Sequence, residues 1–149
     1  MTKTNAPIIF ILLFTSCQTY VKQNIVNNIV RVSYNSVNGG KIGGYVSFIV
    51  TKDSIVYSLG DNKTAKKYNA ALSSKGIWDS LRSSINLVYF DKIKSDPGHL
   101  AYDGTDITIS IIDSKTHTII NGEDDTINYK MITPLINNLN EIREYISKK

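Results

Sequence analysis

The chain contains Ile107-Thr-Ile-Ser-Ile111, a strict alternation of isoleucine with small polar residues. Successive side chains of a β-strand point to opposite faces, so this pattern predicts a strand with its isoleucines facing a core. Asp113-Ser-Lys115 is typical of a turn, and Thr116–Ile120 is the next predicted strand, ended by Asn121-Gly122. These residues together predict a β-hairpin that is buried on one face and open on the other.

Three more strands are predicted upstream of this hairpin. In residues 30–34 two valines and a tyrosine alternate with polar residues, and the apolar runs Tyr45–Val50 and Ile55–Leu59 flank the turn Lys52-Asp-Ser54. Two apolar runs joined by a short polar turn are typical of another β-hairpin. We interpret residues 63–72, which follow no clear period, as an extended arm.

Two segments have the period of an amphipathic helix. Ser73 or Ser74 can cap the first, and Thr133 can cap the second with Pro134 at its first position. The apolar stripes are Trp78, Leu81 and Ile85 in the first helix and Leu135, Leu139, Ile142 and Ile146 in the second. Helices that follow pairs of strands joined by short turns argue against parallel βαβ units. We therefore predict an α+β fold: a single antiparallel sheet of about five strands, in the order β-β-β-α-β-β-α, with two helices on one face.

The N-terminal residues predict export and a lipid anchor. A basic start with Lys3 precedes the apolar run Ile8–Phe14 and then Thr15-Ser-Cys17, which is typical of a secretory signal peptide. The apolar run is too short to span a bilayer, which needs ~20 residues. The end of this segment resembles the lipobox of bacterial lipoproteins, with Phe14 where that family usually has leucine. The resemblance implies that Cys17 carries fatty acyl chains such as palmitate and becomes the mature N-terminus.

We divide the chain accordingly into a signal peptide (1–16), a lipid anchor and tether (17–28) and a single α+β domain (29–149). The 133 residues that follow the leader are enough for one hydrophobic core and too few for two. Two acyl chains anchor a protein stably to its membrane. The second mature residue is Gln18 rather than aspartate, which under the sorting rule of lipoproteins implies an outer-membrane anchor with the domain facing the periplasm. An ordinary cleaved signal, which leaves Cys17 as a free thiol, is the alternative.

Charge and cysteine content limit the partners. Residues 1–16 hold one lysine and no acidic residue, so 16 basic and 13 acidic residues remain, a net charge of +3. This excess is small and dispersed, which favours solvated surface lysines over a nucleic-acid-binding surface. Cys17 is the one cysteine, so an acylated Cys17 leaves no disulfide and no thiolate metal site.

The domain also resembles a family of uncharacterised small periplasmic lipoprotein domains. The resemblance covers roughly residues 29–146 and is carried by Gly44–Tyr57, the Trp78 helix, Asp103-Gly104, the strand at Ile107 and the helix at Pro134-Leu135. It implies a compact α+β domain with no known activity, and it transfers no functional residue.

Ionisable side chains crowd together in residues 96–106. The potential metal ligands there are Asp96, His99, Asp103 and Asp106. Their spacing does not match the EF-hand loop, and structural zinc sites usually have paired His or Cys residues. The turn-forming sequences Asp-Pro-Gly and Asp-Gly account for these aspartates as acceptors of local backbone N–H groups. We therefore predict no metal and no cofactor, and we keep these four residues as candidate ligands for an alternative function.

No catalytic motif is recognisable in the sequence. Gly-x-Ser-x-Gly is absent, and Glu123-Asp-Asp125 is typical of a solvated turn. We interpret His117, which lies in a predicted strand, as a surface or edge histidine rather than as a proton-relay partner of His99. The leading hypothesis is therefore a non-enzymatic, lipid-anchored envelope protein that binds another macromolecule, as an immunity or inhibitor protein or as an accessory subunit of an envelope complex. The alternatives are a metal-binding or metal-dependent hydrolytic module on the 96–106 loop and a small-ligand site between sheet and helices.

Overall fold

The computed structural model describes residues 28–40, 43–61 and 65–149, without the side chains of residues 65 and 66. The predicted signal peptide, the lipidation site Cys17 and the tether up to residue 27 lie outside these residues. In the described part of the chain, no helix is long and apolar enough to cross a bilayer.

Six strands and three α-helices make up the described chain. They are β1 (Arg31–Asn38), β2 (Gly44–Thr51), β3 (Ser54–Asp61), β4 (Ala65–Leu72), α1 (Lys75–Ser83), α2 (Leu87–Phe90), β5 (Thr105–Ile112), β6 (Thr116–Ile120) and α3 (Thr133–Ser147). Three short 3-10 helices lie at His99–Tyr102, Gly122–Asp124 and Tyr129–Ile132.

The strands form one antiparallel sheet in the order β4-β3-β2-β1-β5-β6. This confirms the α+β class and the single antiparallel sheet. The predicted count of about five strands and the order β-β-β-α-β-β-α are wrong, because residues 65–72 form β4. This strand pairs with β3 along its length, with Ser54 opposite Leu72. Lysine and asparagine are depleted in strands generally, and the apolar alternate residues Tyr68, Ala70 and Leu72 are exposed, so no buried stripe marks the strand.

A third helix was also not predicted. Residues 87–90 form the single turn α2, which begins after Asn86, whose side chain accepts a hydrogen bond from the Tyr89 N–H. A helix of four residues is too short to have a recognisable apolar period.

The core lies between one face of the sheet and the helices. Val32 on β1 lies between Val50 on β2 and Ile111 on β5, and all three are buried. The predicted stripes of α1 and α3 are buried against this face except for Ile85, which is half-buried. Ser74 caps α1 as predicted, since its hydroxyl accepts the Ile77 N–H at 3.2 Å.

The start of α3 differs from the prediction. Thr133 is the first helical residue rather than the cap, and its hydroxyl donates to the carbonyl of Lys130 at 2.8 Å. The preceding 3-10 helix Tyr129–Ile132 runs directly into α3, so the chain approaches the helix already coiled and needs no capping side chain.

Candidate functional site

The 96–106 loop has a fixed backbone conformation. Gly98 and Asp103 flank its 3-10 helix with φ angles of 116° and 57°, which glycine adopts freely and aspartate tolerates. Gly104 lies against the backbone of His99, where an added Cβ would come within 2.7 Å of the His99 carbonyl oxygen. The loop also continues the sheet, because the Asp96 N–H donates to the Ile120 carbonyl at 3.0 Å.

Asp106 holds this loop to the sheet. Its Oδ1 atom accepts hydrogen bonds from the side-chain amide of Asn121 at 2.8 Å and from the backbone N–H of His99 at 3.0 Å. These hydrogen bonds, that of Asn121 foremost, lower the pKa of Asp106 below its usual value. Asn121 is fully buried and also donates to the Asp96 carbonyl and accepts the Ile107 N–H. Asp106 therefore has a structural role.

Two of the four predicted metal ligands come together, and a third residue joins them. One ligand atom each from Asp96, His99 and Asp124 lies within 4.8 Å of those of the other two. His99 Nε2 lies 3.3 Å from Asp124 Oδ2. Ligands about 2.1 Å from a tetrahedral metal ion lie about 3.4 Å apart, so this pair has the spacing of two ligands. Asp103 and Asp106 do not belong to the group.

His117 is buried, although the sequence favoured a surface or edge position. Strand β6 is an edge strand, as expected, but the imidazole points to the inner face and is 3% exposed. Its Nδ1 atom lies 2.6 Å from Asp91 Oδ1, and its Nε2 atom lies 3.3 Å from Asp113 Oδ1. His117 therefore connects the end of α2 to the β5–β6 turn, and it shares no partner with His99.

Asp113 and Asp125 also act as acceptors at turns. The backbone N–H of Lys115 and then His117 lower the pKa of Asp113. The side chain of Asn128 and the backbone N–H of Lys94 lower the pKa of Asp125 to about 2. The aspartates of the loops thus stabilise the connections between strands and helices.

A cleft of about 300 Å³ opens between the sheet and α3. It is lined by aliphatic and aromatic side chains, namely Tyr34, Ile107, Ile109, Tyr129, Ile136 and Leu139, and by polar ones, namely Glu123, Asn140 and Arg143. The Arg143 guanidinium lies 6.0 Å from the centre of the Tyr34 ring, which stacks on Phe48. Burial, with the nearby Glu123 carboxylate, raises the pKa of Tyr129 to about 12. The cleft therefore combines an apolar lining with a few polar groups.

The second face of the sheet, which we call the outer face, has no buried side chain among its described residues. By strand alternation these are Arg31, Ser33, Asn35, Val37, Tyr45, Ser47, Ile49, Thr51, Ser54, Val56, Ser58, Tyr68, Ala70, Leu72, Asp106, Thr108, Ser110, Ile112, Thr116, Thr118 and Ile120. The charged residues of this set, Arg31 and Asp106, lie at strand ends. Ile49, Val56 and Ala70 lie side by side across β2, β3 and β4.

The sequence matches no protein-family model and no curated protein sequence.

Proposed function

We propose that this chain is a lipid-anchored envelope protein whose outer face binds another protein without catalysing a reaction. The observation that carries this proposal is a row of uncharged apolar side chains on the outer face, Ile49, Val56 and Ala70. At the edge beyond it, Tyr68 and Leu72 are 66% and 85% exposed. Contiguous exposed apolar surface with a polar surround is typical of protein–protein interaction sites. We define these five residues as the apolar strip.

The two edges of the sheet differ in how accessible they are to a partner. At the β6 edge, Ser95 and Asp96 exchange hydrogen bonds with Ile120, so the preceding loop covers that end of the strand. At the β4 edge, the inward side chains of Lys67 and Asn69 bind the last carbonyls of α3, and the outward ones remain exposed. A partner that covers the apolar strip therefore reaches the sheet from the β4 side. Its contact surface is expected to be apolar and uncharged, because the strip has no charge to pair.

The proposed anchor explains how a modest interface suffices. Two acyl chains on Cys17 hold the domain near the membrane through the tether, which raises its effective concentration toward a partner in the same envelope. This is the situation of an accessory subunit of an envelope complex, and also of an immunity or inhibitor protein that intercepts a secreted enzyme. Outer-membrane attachment facing the periplasm is the proposed location.

The variant Cys17→Ser tests the anchor. We expect either unprocessed precursor or release of the protein from the membrane fraction, because serine has no sulfur to acylate. Fractionation and gel migration are the measurements. A variant that fractionates and migrates like the wild-type protein would show that the lipoprotein interpretation is wrong.

The variant Val56→Lys tests the outer face, because it places a charge in the centre of the apolar strip. Thr118→Lys is the matched control, with the same new charge on the same face at β6. After crosslinking in cells, we expect the wild-type protein and the control to recover one specific partner and Val56→Lys to lose it. Thermal unfolding should confirm that both variants are folded. Equal recovery by both variants, or no specific partner in repeated experiments, would contradict the proposal.

Metal binding is the second candidate function, with metal-dependent hydrolysis as its catalytic form. It is favoured by the convergence of Asp96, His99 and Asp124, since three protein ligands leave one position free for water, as in catalytic zinc sites. Titration with Zn²⁺ should give one equivalent bound, and Asp124→Asn should weaken binding while the neighbouring Glu123→Gln should not. Metal-free protein with no Zn²⁺ binding, or equal affinity in both variants, would exclude this function.

A further inference from the structure

The cleft between the sheet and α3 differs from two other cavities of the described residues in how its charges are arranged. The groove between α1 and α3 has about the same volume, 290 Å³, but its one charged residue is Glu141, and its Ser80 and Asn138 bind each other at 2.8 Å. The cavity beside Trp78 is lined by two basic and two acidic side chains. The lining of the sheet–α3 cleft instead contains one carboxylate, one guanidinium and otherwise mostly apolar side chains.

The polar groups of this cleft are not used by the fold. Within residues 28–40, 43–61 and 65–149, the side chains of Glu123, Asn140 and Arg143 form no hydrogen bond or ion pair with one another or with other residues. Arg143 is held only over the Tyr34 ring, a contact that leaves its N–H donors available. A guanidinium with free donors binds a carboxylate well, often through two hydrogen bonds.

The lining sets the remaining chemistry of a ligand. Ile107, Ile136 and Leu139 offer aliphatic surface, and Tyr129 offers an aromatic ring, which attracts both apolar groups and cations. The volume lies at the lower end of the roughly 300–1,000 Å³ of small-molecule sites, which are mostly apolar with a few placed polar groups. The site therefore fits a small molecule rather than a polymer segment.

We infer that this cleft binds a small zwitterionic amphiphile: an apolar or aromatic body that carries one carboxylate and one amine. Arg143 binds the carboxylate, Glu123 binds the ammonium group, and the isoleucines and tyrosines cover the body. The cleft lies on the side of the sheet opposite the outer face, so this inference does not depend on the protein-binding proposal.

Titration of the full-length chain, purified in detergent, tests the inference with four probes. L-Phenylalanine and ε-aminocaproate carry both charges at different separations, whereas phenylpropionate lacks the amine and phenethylamine lacks the carboxylate. We expect at least one zwitterion to bind about tenfold more tightly than either singly charged probe, because each charge-assisted hydrogen bond adds more than 1 kcal/mol. The methyl NMR signals of Ile107 and Ile136 should shift on binding.

Two charge-removing variants distinguish recognition from a structural effect. Arg143→Gln should weaken the zwitterion about tenfold and leave phenethylamine unchanged, and Glu123→Gln should do the same with phenylpropionate as the unchanged probe. Neither side chain forms a hydrogen bond or an ion pair with another described residue, so the thermal midpoint should stay near that of the wild-type protein. The inference is overturned if neither zwitterion binds at millimolar concentration, if the NMR shifts lie away from the cleft, or if each variant weakens all probes equally.

Discussion

The two faces of the sheet are formed by the same six strands, but one face is buried and the other is exposed. On the inner face, Val32, Phe48 and Ile111 are buried under the helices. On the outer face, Ile49 and Val56 occupy the alternate positions of the same strands and stay partly exposed among serine and threonine side chains. Because alternation separates the two sets, the inner face supplies the stability of the domain, while the outer face stays partly or fully exposed in the described part of the chain. We therefore expect substitutions on the inner face to change stability and substitutions on the outer face to change partner binding.

The largest expected effect is on the inner face. Ile109→Ala should lower the free energy of unfolding by about 2–5 kcal/mol, because it removes buried apolar contacts and leaves a cavity. Its neighbour Thr108→Ala, on the outer face, should change stability by less than about 0.5 kcal/mol. Urea denaturation measures both. Similar losses from the two variants would mean that both faces of β5 are buried, and the comparison would fail.

An intermediate effect is expected at the buried histidine of the edge strand. His117→Ala should cost about 1–3 kcal/mol, because Asp91 and Asp113 lose their hydrogen bonds to a buried imidazole. His99→Ala is the control, since its contact with Asp124 is partly exposed and contributes little. Equal changes in the urea midpoint of the two variants would contradict the structural role of His117.

The sequence pattern predicts which face of the sheet is buried better than it predicts the residues of the candidate sites. The isoleucines of β5 and the stripes of α1 and α3 identify the core because burial follows the strand and helix periods directly. Strand β4 escapes prediction because two of its inward residues, Lys67 and Asn69, are polar and bind the end of α3. Its apolar alternate residues face outward instead and remain exposed, so the period of two does not mark a buried face.

The candidate sites are harder to predict because tertiary contacts assemble them. Asp96 and His99 are close in sequence, so the sequence predicts that both belong to one group of potential ligands. Asp124 reaches them only because the Gly122–Asp124 turn folds back beside the loop, and the cleft joins Glu123 to Arg143 across α3. From the sequence alone, the acidic residues after Gly122 are typical of a solvated turn. In the folded chain, Asp124 lies near His99, and Glu123 lines the same cleft as Arg143.

A smaller effect is expected from acid, and it arises in the loops and turns between the strands. The pKa values of Asp125, Asp106 and Asp113 are lowered in the folded chain, that of Asp125 to about 2. A lowered folded-state pKa adds stability above the usual value near 4, and this contribution is lost as the pH falls toward 2. Urea midpoints measured down this range should fall for the wild-type protein and fall less for Asp125→Asn. An identical pH dependence would show that Asp125 does not contribute.

The central claim, that the outer face binds a protein through the apolar strip, is tested most directly by photo-crosslinking in living cells. A photoreactive amino acid is placed at residue 56 on the outer face of β3 and, in a separate strain, at residue 118 on the outer face of β6. We expect one discrete crosslinked band from residue 56 and little or none from residue 118. No band from residue 56, or bands of equal strength from both positions, would contradict it.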